Sequence, residues 1–317
     1  MGRASALRLA TEGAAAILVG RGRDALLAVA AEIEDAGGKA TVLTADVAND
    51  ADVSRLAAEA GPVDILVNNA AAEEQWAPIT MADIDSWRTI FDVNVFAAVR
   101  LIKAFAPGMA ERGFGVVINM SSIGGSQPAP FLATYGASKA ALDMVTRTAA
   151  MELASSGVRV NSVGSGITDM GKTYELLPPG LLADIGKVIP AARLATERDI
   201  AAAVSYLCSD GGAYVNGHVL TVDGAMTAGQ WATTTVMTAS MAGPNSEIRR
   251  RSSKWLSMLM ESRAVCPRPV RVFASRTALR SFRIGESDYS PCTTNTTPPN
   301  SLSTKHTRVD SSTAPSS

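Results

Sequence analysis

The sequence predicts an α/β protein, a doubly wound parallel sheet with helices on both faces, followed by a disordered C-terminal tail. Three observations predict it. From residue 1 to about 228, short runs rich in Val, Ile and Leu alternate with helical patterns of about 10–20 residues. The runs are apolar on both faces, as strands buried between two helical layers must be. Right-handed crossovers between such strands put helices on both sides and open a ligand crevice at the strand C-terminal ends.

The elements follow in order. A helical pattern over 5–13 leads into AAAILVG, which ends at Gly20. The helix expected over 24–36 carries Leu26, Val29, Ala30 and Ile33 on one face and stops at Gly37-Gly38. TVLTADV (41–47), a short helix over 50–60 and DILVNNA (64–70) come next. A long helical stretch over 81–112 is expected to be interrupted near Pro107, which lacks an N–H and crowds the preceding turn. GVVINMSS (115–122), a helix over 134–154 and VRVNSVG (158–164) follow, and a helix over 197–209 precedes HVLTVDG (218–224).

Composition narrows the function classes. Net charge is −1 and 19% of residues are charged, so the chain does not read as a nucleic-acid or membrane binder. The charge is uneven: residues 230–317 carry twelve Lys/Arg against five Asp/Glu, a balance of +7, and the remainder carries −8. Two segments follow, a domain over 1–228 and a Ser/Thr/Pro/Arg-rich tail over 229–317 with no sustained period, expected to be disordered. RRRSSK within the tail is too short and isolated for a nucleic-acid or acidic-membrane arm. Three cysteines without metal-type spacing and two histidines argue against zinc and point to free thiols in a reducing, cytoplasmic compartment. No apolar run approaches the roughly 18–20 residues that span a bilayer. The opening MGRASALRLAT has the composition of a transit peptide, but a first helix explains it better, and Ala6 stands where a myristoylation signal needs Ser or Thr.

Chemistry concentrates at Tyr135-Gly-Ala-Ser-Lys139. A spacing of four on a helix sets both side chains on one face, one turn apart. A phenol titrates near pH 10 in isolation, and a nearby ammonium stabilises the phenolate and lowers that value. The pair can then pass a proton to or from an alcohol or ketone oxygen. Alone the spacing is common on helix surfaces. Ser122, at the end of a strand and thirteen residues earlier, adds a hydroxyl able to hold the reacting oxygen, and Asn94 can hold a water or a backbone group.

DILVNNA, Asn94, INMSS (118–122), YGASK, VRVNSV (158–163) and the closing TVDG (221–224) occur together in order over residues 1–228, and there the chain resembles the short-chain dehydrogenase/reductase family. The resemblance implies a Rossmann-type sheet and NAD(P)-dependent interconversion of a secondary alcohol and a ketone. It implies Asn94, Ser122, Tyr135 and Lys139 as the catalytic tetrad, with Tyr135 and Lys139 also at the cofactor. Gly20-Arg21, where NAD-dependent members place an acid for the ribose 2′-hydroxyl, leaves room and a cation for a 2′-phosphate, so NADP is expected over NAD. Asp46 and Val47 resemble the adenine-contacting pair, although Asp46 reads nearly as well as a turn residue. Asn69 and Ala70 fall beside the adenosine ribose, and Thr168 matches the residue at the nicotinamide amide. A homodimer or homotetramer built on the long helices is implied, with no nucleic-acid or membrane partner.

The family pattern opens with an apolar strand and a glycine-rich turn. Here Gly2 matches the third glycine of that turn, so the first strand is expected to be missing from the centre of the sheet. The start and the tail together suggest a misplaced gene start and a misread frame. This supports an alternative, an inactive scaffold or partner-binding protein, against which retention of the whole tetrad argues. Smaller departures are Ala71 after Asn68-Asn69-Ala70 and Ser165-Gly166 after the sixth family strand. The loop over 172–190, rich in Leu and Ile, is expected to cover a partly apolar substrate.

Overall fold

A computed structural model describes residues 1–72, 77–170 and 180–228. The expected tail and residues 172–179 of the expected substrate loop lie outside the described residues.

Helix α1 (Gly2–Thr11), strand β1 (Ala15–Gly20), helix α2 (Arg23–Asp35), strand β2 (Lys39–Thr44), helix α3 (Asp50–Ala60) and strand β3 (Ile65–Asn68) come first. They are followed by α4 (Ile84–Phe91), α5 (Ala97–Glu111), β4 (Gly115–Ser122), α6 (Ala133–Leu153) and β5 (Val158–Ser165). The short β6 (Thr168–Asp169), α7 (Leu181–Val188), β7 (Ala195–Thr196), α8 (Glu197–Cys208) and β8 (Val219–Val222) complete the order. Every strand pairing is parallel: β1 with β2, the set β3-β4-β5-β8, and β6 with β7. No ladder joins β1 to β3 among the described residues, the two strands between which the sequence pattern expects an interruption.

Period-two alternation distributes the buried strands between two cores. Val117 of β4 and Val158 and Val160 of β5 pack with Leu101, Phe105 and Met109 of α5 and with Ala149 and Ala150 of α6. On the opposite face Val116, Ile118 and Met120 join Val163, and Ile200, Val204 and Leu207 of α8 cover them, with Met1 and Leu9 alongside. The sheet is therefore sandwiched. The Met1 ammonium also pairs with Glu197 at 2.6 Å, which ties the start of α1 to the start of α8.

The interruption expected at Pro107 falls elsewhere. Pro107 lies inside α5, and the long helix breaks instead at a π-turn over Asp92–Phe96. Burial of Phe105, Ala106 and Met109 around the proline holds α5 together across the lost hydrogen bond, while the extra residue of the π-turn shifts the register between α4 and α5. The pairing of β6 with β7, with Thr168 opposite Ala195, also lies outside the sequence expectations.

Candidate active site

The polar residues of the site grow out of the same alternation. On the α6-facing side, apolar residues fill the N-terminal part of each strand and polar ones the C-terminal part: Leu66 then Asn68, Val117 then Asn119 and Ser121, Val160 then Ser162. In the ladder Asn68 stands opposite Asn119, and Asn119 opposite Ser162, so three polar side chains form a row across three strands. All three are buried, Asn119 and Ser162 completely.

Their hydrogen bonds form one chain. The Asn68 amide donates to Asn119 Oδ1 at 2.8 Å, and Asn119 Nδ2 donates to Thr146 Oγ1 of α6 at 2.8 Å. Thr146 Oγ1 lies 2.8 Å from Ser162 Oγ and 2.9 Å from the Leu142 carbonyl oxygen. This network fastens α6 to the centre of the sheet, directly beneath the residues that carry the chemistry.

Above it, Tyr135, Lys139 and Asp143 follow one another at single-turn spacing on α6. Lys139 is 2% exposed, donates from Nζ to the Met120 carbonyl at 2.8 Å, and its Nζ sits 5.6 Å from the centre of the Tyr135 ring. Burial lowers the Lys139 pKa to about 8, and the charge of Asp143 opposes that fall. Burial likewise raises the Asp143 carboxyl above its ordinary value, with the Ser121 and Ser162 hydroxyls and the cations of Arg147 and Lys139 acting the other way.

Ser122 closes β4 and caps a short turn over Ile123–Gly125, its Oγ accepting from the Gly124 amide at 3.1 Å. That turn lies against the Tyr135 ring: a Cβ on Gly124 would stand 3.5 Å from Ser122 Oγ and 3.6 Å from the ring. The Ser122 hydroxyl and the Tyr135 ring therefore both border Gly124. Asn94 sits in the π-turn, buried, and its side chain grips the Ala72 backbone, accepting from its amide at 2.7 Å and donating to its carbonyl at 3.2 Å. Asn94 also donates to Ser138 Oγ at 3.0 Å, and Ser138 donates to the Tyr135 carbonyl at 2.7 Å. The backbone-holding option for Asn94 is the geometry observed, with Ser138 as the intermediary to the Tyr135 turn.

The residues expected at a cofactor fall into two groups. Gly2 and Asn69 lie side by side, since a Cβ on Gly2 would meet Asn69 Nδ2 at 2.7 Å. Only a glycine at the start of α1 leaves room for that amide, and no side chain caps this helix end. Arg21 and Ala70 are exposed at the C-terminal ends of β1 and β3. The second group is engaged locally. Asp46 accepts from Ala48 N through Oδ1 at 3.0 Å, the turn geometry weighed against an adenine role, and Val47 packs on the α3–α5 core. Thr168 is 1% exposed and donates to the Gly166 carbonyl at 3.1 Å.

The deeper row of Asn68, Asn119, Thr146, Ser162 and Asp143 was not singled out by sequence. Its signal is the switch from apolar to polar at every second strand position, which the motif pattern hides.

Comparisons with known proteins add four findings. Residues 1–227 match the family described as enoyl-(acyl carrier protein) reductase. The cis-4-hydroxycyclohexanecarboxylate dehydrogenase of Sinomonas cyclohexanicum is 34% identical over 233 residues, covering 71% of this chain and 92% of that protein. Among solved structures, a 7α-hydroxysteroid dehydrogenase complexed with NADH and 7-oxo glycochenodeoxycholic acid is 31% identical with a TM-score of 0.67, covering 70% of this chain and 88% of that one. An actinorhodin polyketide ketoreductase variant with NADPH is 29% identical with a TM-score of 0.66, covering 71% of this chain and 92% of that one.

Proposed function

Because the chain belongs to the short-chain dehydrogenase/reductase family, an NAD(P)-dependent oxidoreductase family acting on alcohols and ketones, we propose that Tyr135, Lys139, Ser122 and Asn94 form its catalytic site. The observation that carries this reading is the convergence of Tyr135, Ser122 and buried Lys139 at the C-terminal end of β4. Tyr135 moves the proton at the substrate oxygen, as acid in reduction and as base in oxidation. Ser122 holds that oxygen against the phenol. Lys139, fixed by the Met120 carbonyl, stabilises the phenolate form of Tyr135 by its charge. Asn94 positions the turn carrying Tyr135 through Ser138, and keeps the chain at Ala72 in place. A bound nicotinamide nucleotide supplies or accepts the hydride at the substrate carbon.

The residues present fit such a nucleotide. Gly2 and the Asn69 amide lie together at the N-terminus of α1, which no side chain caps and where orphan N–H groups and the helix dipole favour an anion such as a pyrophosphate. Arg21 offers its guanidinium to a ribose 2′-phosphate, which favours NADP over NAD. The family includes structures holding NADPH and NADH, so the preference rests on Arg21. Replacement Arg21→Ala is expected to weaken NADPH binding about 10- to 100-fold and leave NADH unchanged, a charge-assisted hydrogen bond being worth about 1.5–3 kcal/mol. Fluorescence titration of both nucleotides measures this, and equal affinities in the parent would remove the basis for the preference.

The substrate is a small molecule bearing a secondary alcohol or ketone. Leu181, Ile185 and Ile189 form a small apolar cluster around α7 with Ile123 beside it, which supports a partly apolar ligand over the Ser122 turn. Phe96 and Val99 on one helical stretch and Met144 and Met151 on α6 are exposed apolar residues on adjacent helices, and a homodimer or homotetramer built there would cover them. The free thiol of Cys208 supports a cytoplasmic setting. NADPH oxidation by simple ketones, followed at neutral pH, tests the whole reading: a folded sample that binds neither nucleotide would sink it.

A further inference from the structure

We infer that Asp143 is a positioning residue for the proton-transfer pair: its buried carboxylate, one helical turn beyond Lys139, keeps Lys139 charged beside Tyr135. This rests on the catalytic reading above. Asp143 touches no reacting atom in that reading and acts only through Lys139.

The geometry is that of two charges buried on one helix face. Lys139 is 2% exposed and Asp143 5%, and lysine and aspartate are almost never buried to that degree without a compensating group. Lys139 Nζ has three protons to place, and the Met120 carbonyl takes one of them. A neutral oxygen does little against the cost of a buried ammonium, whereas the charge of a carboxylate one turn away opposes part of it. Tyr135 lies one turn before Lys139 on α6, and Arg147 one turn beyond Asp143. Among the described residues the other elements packed here bring no charge: β4 presents Met120 and Ser121, β5 presents Ser162, and the turn after β4 presents Gly125.

Gly125 shows how closely the carboxylate is enclosed. A Cβ there would lie 3.0 Å from Asp143 Oδ2 and 3.0 Å from the Lys139 backbone carbon. The Ser122–Gly125 turn thus closes over the gap between Lys139 and Asp143, excluding water that would otherwise screen the pair. The Ser121 and Ser162 hydroxyls favour the ionised carboxyl. Ser162 belongs to the Thr146–Asn119–Asn68 chain that holds α6 to the sheet, so the carboxylate lies beside that network.

The consequence is a direction in pH. Burial already brings Lys139 to about 8 with Asp143 present. Without the carboxylate its pKa falls further, the ammonium is lost nearer neutrality, and the Tyr135 phenolate forms at higher pH. In Asp143→Asn, the rising limb of kcat/KM for alcohol oxidation is therefore expected to move to higher pH by about one unit, a roughly tenfold loss on the limb, while the alkaline plateau is kept. A uniform loss with the limb in place would mean that Asp143 is merely structural, and an unchanged profile would mean that it is a neutral acid; either overturns the inference.

Two measurements need no turnover. The Asp143 carboxyl carbon, followed by NMR in the parent protein, should titrate below neutral pH; a carboxyl still protonated at pH 8 overturns the inference whether or not the variant folds. The Lys139 Nζ resonance should titrate lower in Asp143→Asn than in the parent. If that shift is seen and the parent lacks oxidoreductase activity, the catalytic reading fails and the Asp143–Lys139 coupling stands. If activity is present and the resonance does not move, the coupling fails alone.

Discussion

Tyr135→Phe reduces kcat/KM for nicotinamide-coupled ketone reduction by about 10²–10⁴-fold, the range contributed by a positioned acid–base group. The substitution removes one oxygen and little else. Tyr135 is half-buried, its ring rests beside Gly124, and Lys139 Nζ stands 5.6 Å from its centre. These ring contacts survive in Phe, so a variant that folds and still binds nucleotide assigns the loss to the hydroxyl. Ser122 remains to hold the substrate oxygen, but an aliphatic hydroxyl is too weak an acid near neutral pH to replace the phenol. Steady-state kinetics with nucleotide titration separate the two parameters. A variant retaining more than about a tenth of the parent rate would remove Tyr135 from the chemistry.

Much of this was legible because two kinds of signal reinforce each other. Buried strands such as β4 over Val116–Ile118 are apolar on both sides, and the helices between them carry one-face periodicity, so the alternation of layers can be read directly. The 50–60 helix and the β4 strand fall where expected because Asn49 and Gly113 punctuate them. Tyr135, Lys139 and Ser122 can be proposed as chemistry because they occur together with ordered flanking motifs, whereas the four-residue spacing alone is common on helix surfaces.

What was not legible depends on tertiary contacts. Periodicity cannot distinguish a continuous helix from one with a single inserted residue, so the π-turn that carries Asn94 was read as part of one long helix. Pro107 gave a strong local signal that burial of its neighbours overrode. The two-residue strands β6 and β7 are too short to leave a pattern, and their pairing decides that Thr168 turns inward to the Gly166 carbonyl. Nothing in its spacing separates Asp143 from a helix-surface acid; the turn after β4, with Gly125 against its Oδ2, does.

Asn119→Ala tests the deepest of these contacts and should destabilise the fold by about 2–4 kcal/mol, from two lost hydrogen bonds at about 1 kcal/mol each and the penalty of a stranded donor. Asn119 is fully buried and is the only link in the chain between Asn68 of β3 and Thr146 of α6. Thr146 keeps the Leu142 carbonyl and Ser162, so its loss is modest. Asn68 fares worse: its Oδ1 has no hydrogen bond among the described residues, and the substitution strands Nδ2 as well. Asn68→Ala made on top of Asn119→Ala should therefore cost less than Asn68→Ala alone, because the stranded amide goes with it. Urea unfolding of the parent, both single variants and the double variant measures the cycle, provided the m-values agree. Strict additivity would show that the row across the three strands is coincidental. Coupling of the expected sign would place the anchor of α6, and with it the Tyr135–Lys139–Asp143 face, in the centre of the sheet. Domain stability totals only about 5–15 kcal/mol, so that one amide would carry a large fraction of what keeps the site assembled.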